Sequence, residues 1–253
     1  MKVQLALLAV SLMVGATGST AQAQSTATSP PASWNAIKPY AKVKISGNEF
    51  EAECGPTAEA IQQIGQVIHF QMIPGNKWVE DSSDSERTEL DGYRQRLTPG
   101  ASYWAAWSLY VEPGTWSSSD WLVLEQMPGL WGHIIQKGAH AMSFFLTNVS
   151  APLARLPVES GVWYNFVEKY VVGSNGAVAS WVNGKQVANY TGSVGSGGSY
   201  YPKLGIYRGN QTAAGLPVVE SIGARYANFK FGTADLSALI STPDPVPALV
   251  RWP

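Results

Sequence analysis

Two tyrosines and a lysine near the C-terminal end of the chain are spaced so that one β-strand would present them together. Side chains alternate between the two faces of a strand, so Tyr201, Lys203 and Tyr207 would share one face and Leu204 would point to the other. A phenol and an ammonium group on a shared face are suited to acid–base chemistry. An ordinary half-buried strand has the same pattern, so the interpretation depends on what other segments place beside it.

Two earlier segments carry polar side chains at strand spacing. Arg87 and Glu89 are two positions apart, so their charges would project from the same face of a strand. A strongly apolar run at 121–124 ends in Glu125 and Gln126, which is typical of a strand that leaves the core and enters a cleft. By the same alternation, Glu125 points away from Gln126.

The elements that would position these residues are short strands joined by tight turns. The segment from 103 to 111 alternates with a period of two, and Asn183-Gly184 is a hairpin signal. The patterns predict strands at 49–54, 67–73, 103–111, 121–129, 142–147, 163–172, 177–182 and 220–231, one turn of helix at 56–63 and a loop at 130–140. We therefore predict an all-β fold, an antiparallel two-sheet β-sandwich of the jelly-roll type.

Composition excludes several classes of function. The formal net charge is -1 and only 14% of residues are charged, so there is no basic field of the kind that binds nucleic acid or an anionic membrane. Cys54 is the single cysteine, which excludes an intrachain disulfide framework and a cysteine-based zinc site. The chain has ten Trp and eleven Tyr, residues that are common where sugar rings stack on aromatic faces.

For the oligomeric state, we expect a monomer.

The N-terminal segment has the features of an export signal. A lysine, an apolar run and small residues before position 24 predict a signal peptide over 1–23, so we expect a secreted or periplasmic protein. The following Ser-, Thr- and Pro-rich residues predict a flexible leader over 24–33. One jelly-roll domain is expected over 34–241 and a Pro-rich tail over 242–253.

The three polar segments, taken in order, resemble a known family. Glu86-Arg87-Thr88-Glu89-Leu90, Leu124-Glu125-Gln126 and Tyr201-Pro202-Lys203-Leu204-Gly205-Ile206-Tyr207 are similar to the three signatures of the jelly-roll polysaccharide lyases. That group includes alginate lyases and the heparin-lyase-like and glucuronan-lyase-like enzymes, with a concanavalin A-like fold. The similarity extends from about Phe50 to Arg208.

The resemblance implies β-elimination on an acidic, uronate-containing polysaccharide. Arg87 and Gln126 would bind the uronate carboxylate, and Glu89 would orient Arg87 through a salt bridge. Tyr207 would be the catalytic tyrosine. A phenol has an unperturbed pKa near 10, so the family's base needs a nearby positive charge, which Lys203 would supply unless it holds a neighbouring carboxylate instead.

Further residues are candidates for contact with the substrate. Tyr201, Arg208 and Trp107 complete the expected substrate-binding set. No cofactor and no metal are expected, because no dense Asp/Asn loop argues for calcium.

One position departs from the family pattern. The family has a histidine two residues after the glutamine, and this chain has Pro128 there. His133 or His140, in the predicted loop, would have to replace it. If neither does, either Tyr207 works alone or the protein is a non-catalytic carbohydrate-binding jelly roll.

A glycoside hydrolase is a third interpretation. It requires two carboxylates that face the scissile bond. The sequence offers Glu89 and Glu125 for this pair, although alternation points Glu125 away from Gln126.

Overall fold

The structure is a computed structural model, and it describes residues 34–92, 95–114, 117–136, 140–195 and 198–246. Two sheets of eight antiparallel strands pack face to face, which confirms the predicted all-β jelly-roll sandwich. The signal peptide and leader predicted over 1–33 lie outside the described residues, as do residues 247–253 of the predicted tail.

We call the two layers the back sheet and the front sheet. In spatial order the back sheet consists of β1 (Asn35–Ala36), β4 (Ile61–Ile64), β5 (Val67–Met72), β18 (Ile222–Gly232), β8 (Ser102–Val111), β13 (Trp163–Val171), β14 (Gly173–Val182) and β15 (Lys185–Val194). The front sheet consists of β12 (Ala154–Pro157), β11 (Ala141–Leu146), β10 (Trp131–Gln136), β9 (Leu122–Met127), β17 (Lys203–Gly209), β6 (Ser85–Gly92), β3 (Asn48–Glu53) and β2 (Lys42–Ile45).

Three short elements lie outside these sheets. Strands β7 (Gln95–Leu97) and β16 (Gly198–Tyr200) pair with each other, and helix α1 (Ala238–Ser241) follows the last strand. No helix in the described part of the chain is long and apolar enough to cross a membrane.

The core lies between the two sheets and follows from strand alternation. On the front sheet Phe50, Leu90 and Ile206 are fully buried, and from the back sheet Phe229 meets Phe50 edge to face at 5.1 Å. Each fully buried side chain of this size stabilises the fold by about 1.5–3 kcal/mol relative to exposure. Residues between these core positions must therefore project from the outer surface of the front sheet, which we call the front face.

Two of the predicted elements are wrong. The helix predicted at 56–63 is replaced at its end by β4, because Ile61 to Ile64 pair with β5 across a two-residue turn. The loop predicted at 130–140 is mostly strand β10, which pairs with both β9 and β11. In both cases long-range pairing outweighs the local signal.

Candidate active site

Three neighbouring strands bring four of the predicted site residues to the front face. Tyr207 on β17 lies opposite Arg87 on β6, and Lys203 on β17 lies opposite Gln126 on β9. Alternation turns all four away from the core residues of the same strands. Glu89, the fifth predicted residue, is on the same face of β6.

A glycine leaves a gap in the middle of this face. Gly205 lies between Lys203 and Tyr207 on β17 and opposite Glu89. It adopts φ +143°, and a Cβ at this position would lie 2.3 Å from the carbonyl oxygen of Thr88 and 3.1 Å from the core residue Phe70, so no larger residue fits without a shift. Because position 205 is a glycine, no side chain of β17 covers the front face between Lys203 and Tyr207.

The gap is crossed by a hydrogen bond between the flanking strands. The Nε2 group of Gln126 on β9 donates to Oε1 of Glu89 on β6 at 2.9 Å. Because β17 runs between these two strands, the bond passes over Gly205. Glu89 is fully buried, and its other oxygen, Oε2, has no hydrogen-bond partner among the described residues.

Tyr207 lies between a guanidinium group and an indole ring. The Cζ atom of Arg87 is 4.3 Å from the centroid of the Tyr207 ring, and Trp121 meets that ring edge to face at 4.7 Å. Tyr207 is half-buried, and its hydroxyl makes no hydrogen bond to the described residues. The phenol oxygen is therefore available to a ligand.

Arg87 keeps part of its donor capacity. Its Nε donates to Asp81, and its Nη1 donates to Oε2 of Glu53 at 2.9 Å. Its distance to Glu89 is 3.7 Å, which is longer than a hydrogen bond, so Glu89 contributes charge but does not fix the guanidinium. Nη2 has no hydrogen-bond acceptor in the described part of the chain.

Lys203 is held by carboxylates. Its Nζ donates to Glu53 and lies 3.6 Å from Asp91 and 4.0 Å from Glu89. Because Arg87 also donates to Oε2 of Glu53, this one carboxylate oxygen links Lys203 to the guanidinium that lies beside Tyr207. Of the two roles that the sequence left open for Lys203, the structure has the second, in which it binds a carboxylate.

The acidic groups of the front face have unequal proton affinities. Burial alone would raise the pKa of Glu53, but Lys203 and Arg87 outweigh it and lower that pKa. Burial raises the pKa of Asp91 to about 7, with a further contribution from the negative charge of Glu53. Burial also raises the pKa of Glu89. The site thus pairs an ionised carboxylate with acids that hold protons more strongly.

His133 is not on the front face. It points into the core and is 1% exposed, with Nδ1 2.9 Å from Oε2 of Glu125 and Nε2 2.9 Å from Oε1 of Glu168 on the back sheet. The interpretation of His133 as a substitute for the family histidine is not compatible with this burial, because the core separates it from any substrate on the front face. Pro128 lies in the turn between β9 and β10.

Glu125, His133 and Glu168 form a buried polar cluster. Glu168 also accepts hydrogen bonds from Trp131 at 3.0 Å and from Ser180 at 2.8 Å. One ligand atom from each of the three main residues lies within 4.8 Å of the others, and carboxylate oxygen and imidazole nitrogen are ligands that zinc accepts. However, the two ring nitrogens face different carboxylates and Nε2 also lies 2.9 Å from the indole Nε1 of Trp131, so contacts among these side chains themselves account for the geometry.

Four other predicted residues have structural or peripheral positions. Trp107 is in the core, stacked on Phe166 at 5.0 Å, and Arg208 is fully buried against Glu86 with two bonds near 3 Å. These contacts place neither of them on the front face. Tyr201 is half-buried beside Lys203, whose Nζ is 5.8 Å from its ring centroid. His140 is exposed before β11.

Some residues of the front face were missed by the sequence analysis. Glu53 and Asp91 were detectable, because Glu53 continues the alternation of Glu49 and Glu51 while Asp91 continues that of Arg87 and Glu89. Trp78 and Asp81 were not detectable, because both lie in the loop before β6 and only tertiary contact brings them to Arg87.

Comparisons with known proteins give a match in structure only. The sequence matches no protein-family model and no curated protein. The fold is similar to that of an endo-β-1,4-glucuronan lyase from the fungus Trichoderma reesei, with a TM-score of 0.51 and 12% identity over 79% of this chain and 94% of that one. An alginate lyase of polysaccharide lyase family 7 gives 0.54 and 16% over the same shares.

The chain has the jelly-roll fold of polysaccharide lyases. A family 131 β-glucanase catalytic domain from Podospora anserina also has this jelly roll, with a TM-score of 0.59 and 10% identity over 76% of this chain and 88% of that one. At such identities the comparisons establish the fold alone. The function must therefore be inferred from the side chains of the front face.

Proposed function

We propose that this protein is an exported polysaccharide lyase that cleaves a uronic-acid-containing polysaccharide by β-elimination. The main support is Tyr207 on the front face, whose hydroxyl has no hydrogen-bond partner among the described residues and whose ring lies 4.3 Å from the Arg87 guanidinium. The fold supports the same conclusion, since solved lyases share it.

In the proposed reaction Tyr207 transfers a proton. As phenolate, its oxygen removes the proton at C5 of the uronate, and the electron pair forms the C4–C5 double bond as the bond from C4 to the glycosidic oxygen breaks. The phenol then returns the proton to the leaving oxygen when both lie on one side of the sugar ring. The products are a chain whose new non-reducing end is an unsaturated uronate and a chain with a new reducing end, whose C1 hydroxyl carries the returned proton.

The uronate carboxylate must be neutralised for C5 to lose a proton. Nη2 of Arg87, which has no acceptor among the described residues, and the amide of Gln126 flank the gap at Gly205, so they are suited to donate to a carboxylate there. Four carboxylates already surround the two cations Arg87 and Lys203; they are Glu53, Asp81, Glu89 and Asp91. Burial raises the pKa of Asp91 to about 7, so this acid is partly protonated near neutral pH and repels the substrate less.

A glycoside hydrolase is the second candidate, and the pKa of Asp91, raised to about 7, suits a general acid. Glu53 cannot be its partner across a scissile bond, because Glu53 hydrogen-bonds to Asp91 and both contact Nζ of Lys203, whereas the two carboxyl groups of a glycosidase are about 5 Å or more apart. The pair of Glu89 and Glu125 considered from sequence does not serve either, since Glu125 is buried in the core. The β-glucanase fold match is consistent with this candidate.

Product analysis separates these functions. The mature protein is incubated with glucuronan, alginate and heparin-type glycans, and both the ultraviolet absorbance of the unsaturated uronate and the number of new reducing ends are followed. The lyase gives both signals in equal amounts. A hydrolase gives reducing ends without absorbance, and a carbohydrate-binding protein without activity gives neither signal while it still binds a glycan.

A further inference from the structure

Four aromatic side chains form a continuous row across one end of the front face. Tyr40 contacts Trp78 at 6.0 Å between ring centroids, and Trp78 lies 5.4 Å from the guanidinium carbon of Arg87. The same guanidinium lies over the ring of Tyr207, and the Tyr207 ring contacts Trp121 edge to face. The rings come from four separate segments of the chain, so the row is a product of the fold.

The row is accessible from outside. Tyr40 is 46% exposed, and Trp78, Tyr207 and Trp121 are half-buried. Val79, beside Trp78, is 78% exposed. At partly exposed positions a large aromatic side chain contributes only part of its surface to the core. The rest of the ring surface is available to contact a ligand that has an apolar face.

The charges along the row favour an apolar contact. Arg87, in the middle, is paired with Asp81 and Glu53, and Tyr40 donates a hydrogen bond to Glu80 at 3.0 Å. A carboxylate directed at the end of the row beyond Arg87 would be repelled by Glu80 and Asp81. A uronate ring stacked through its C–H groups avoids this repulsion, because its equatorial carboxylate at C5 projects from the rim of the ring and not from the stacked face.

We propose that Tyr40, Trp78, Tyr207 and Trp121 form a stacking site for pyranose rings of gluco configuration, and this rests on the proposed function in glycan cleavage. A β-linked gluco ring has all its large substituents equatorial, so both of its faces present only axial hydrogens to an aromatic ring. A manno ring has an axial hydroxyl at C2 that interrupts one face. The row therefore selects gluco-configured chains from those with axial hydroxyls.

The test compares two ligands of equal charge and linkage. Oligoglucuronates and oligomannuronates of the same length, both β-1,4-linked, are titrated into the mature protein by calorimetry, with intrinsic tryptophan fluorescence as a second signal. We expect the oligoglucuronate to bind about tenfold more tightly, the ratio that about 1.4 kcal/mol produces. Equal affinities, or tighter binding of the oligomannuronate, would overturn the proposal.

Variants locate the preference on the row. Trp78→Ala should remove most of the tenfold preference, whereas Trp78→Phe, which keeps a ring, should retain it. Tyr40→Asn should weaken oligoglucuronate binding severalfold, and asparagine tolerates the positive φ of 62° at this position. Trp181→Ala, at a half-buried position on the back sheet where the ring stacks on the buried Trp104, is the matched control and should leave both affinities unchanged.

Each outcome of the variants bears on the proposal. If Trp78→Ala lowers both affinities equally, the row does not select configuration and the proposal fails. If Trp78→Ala does not fold, an unchanged affinity in Tyr40→Asn, which replaces an exposed side chain, contradicts it. Failure of the lyase reaction is recognised separately, because the binding preference does not depend on the formation of unsaturated product.

Discussion

Arg87 and Tyr207 are direct cross-strand partners, and the Arg87 guanidinium lies 4.3 Å from the centre of the Tyr207 ring. Positive charge beside the proposed catalytic phenol thus comes from β6. This relationship gives Arg87 two roles, since the same guanidinium offers Nη2 to the substrate. A lysine could supply the charge, but it lacks the planar fork of donors that the second role uses.

Replacement of Arg87 tests both roles. Arg87→Lys keeps the charge but loses the planar fork, so we expect kcat/KM to fall by about 10²–10³, as for loss of one preorganised donor at a developing charge. Steady-state cleavage kinetics measure this. Arg155→Lys, at an exposed position on β12, is the control and should have normal kinetics. Unchanged kinetics in Arg87→Lys would contradict the roles given to Arg87.

Lys203 and Glu53 form a buried ion pair whose disruption should be costly. Their side chains are 5% and 9% exposed, so Lys203→Met leaves carboxylates without their cation and should lower the free energy of unfolding by about 3–5 kcal/mol. The double variant Lys203→Met, Glu53→Gln should recover part of this loss. Urea denaturation measures both.

The exposed pair of Lys42 and Glu49 provides a matched comparison. These groups are 3.9 Å apart and their side chains are 58% and 38% exposed. Lys42→Met should change the free energy of unfolding by no more than about 1 kcal/mol. If Lys203→Met has an equally small effect, the ion pair at Lys203 does not stabilise the front face.

Gly205 should be intolerant of any side chain. Gly205→Ala combines a positive φ with a close approach to the Thr88 carbonyl, so we expect it to destabilise the protein by more than about 2 kcal/mol and to abolish activity. Gly100→Ala has a positive φ of 81° without any atom within 4 Å of the added Cβ, so it should cost only about 1 kcal/mol. Thermal unfolding of both variants separates the effect of the positive φ from the effect of the close contact. Equal losses of stability in the two variants would contradict the argument from the close contact.

The buried cluster around His133 predicts a dependence of stability on pH. Burial would lower the pKa of His133, but Glu168 and Glu125 outweigh it and raise that pKa to about 9. Because the folded-state pKa exceeds the unfolded value near 6.5, this stabilisation is present below pH 6.5 and is lost as pH rises through 9. We expect the free energy of unfolding to fall by on the order of 1–3 kcal/mol across that window.

Glu125 contributes in the same direction at lower pH. Burial raises its pKa to about 7, so the folded protein binds an extra proton between pH 4.5 and 7 and loses stability as pH rises through that range. His133→Gln should flatten the decrease above pH 6.5, while His140→Asn, at an exposed position, should keep it. A stability profile that rises from pH 6.5 to 9 in the wild type would show that His133 is not charged in the folded state.

Alternation within strands was sufficient to predict the fold and most of the front face. Arg87, Gln126 and Tyr207 share that face because each occupies the outward position of its strand. Glu125 points away from Gln126, as the pattern predicts, and enters the core. Local periodicity fixes the face of each side chain once a segment is known to be a strand.

The sequence could not predict which side chains meet between strands. Lys203 and Tyr207 share a face as predicted, but only the fold brings Glu53, on β3, to Lys203 and to Arg87. His133 was placed in a loop because the pairing of β10 with β9 and β11 is not visible in a local pattern. Trp107 and Arg208 were assigned to the site by residue type, whereas their burial depends on the opposite sheet and on Glu86.

The central claim is that Tyr207 transfers the proton in an elimination reaction. The most direct measurement compares the wild type with Tyr207→Phe in two assays, formation of unsaturated uronate from glucuronan or alginate and calorimetric binding of the same glycan. Tyr190→Phe, at a half-buried position on β15, is the control. We predict that Tyr207→Phe forms no unsaturated product and binds the glycan with an affinity close to that of the wild type. Unsaturated product at the wild-type rate from Tyr207→Phe would contradict the account.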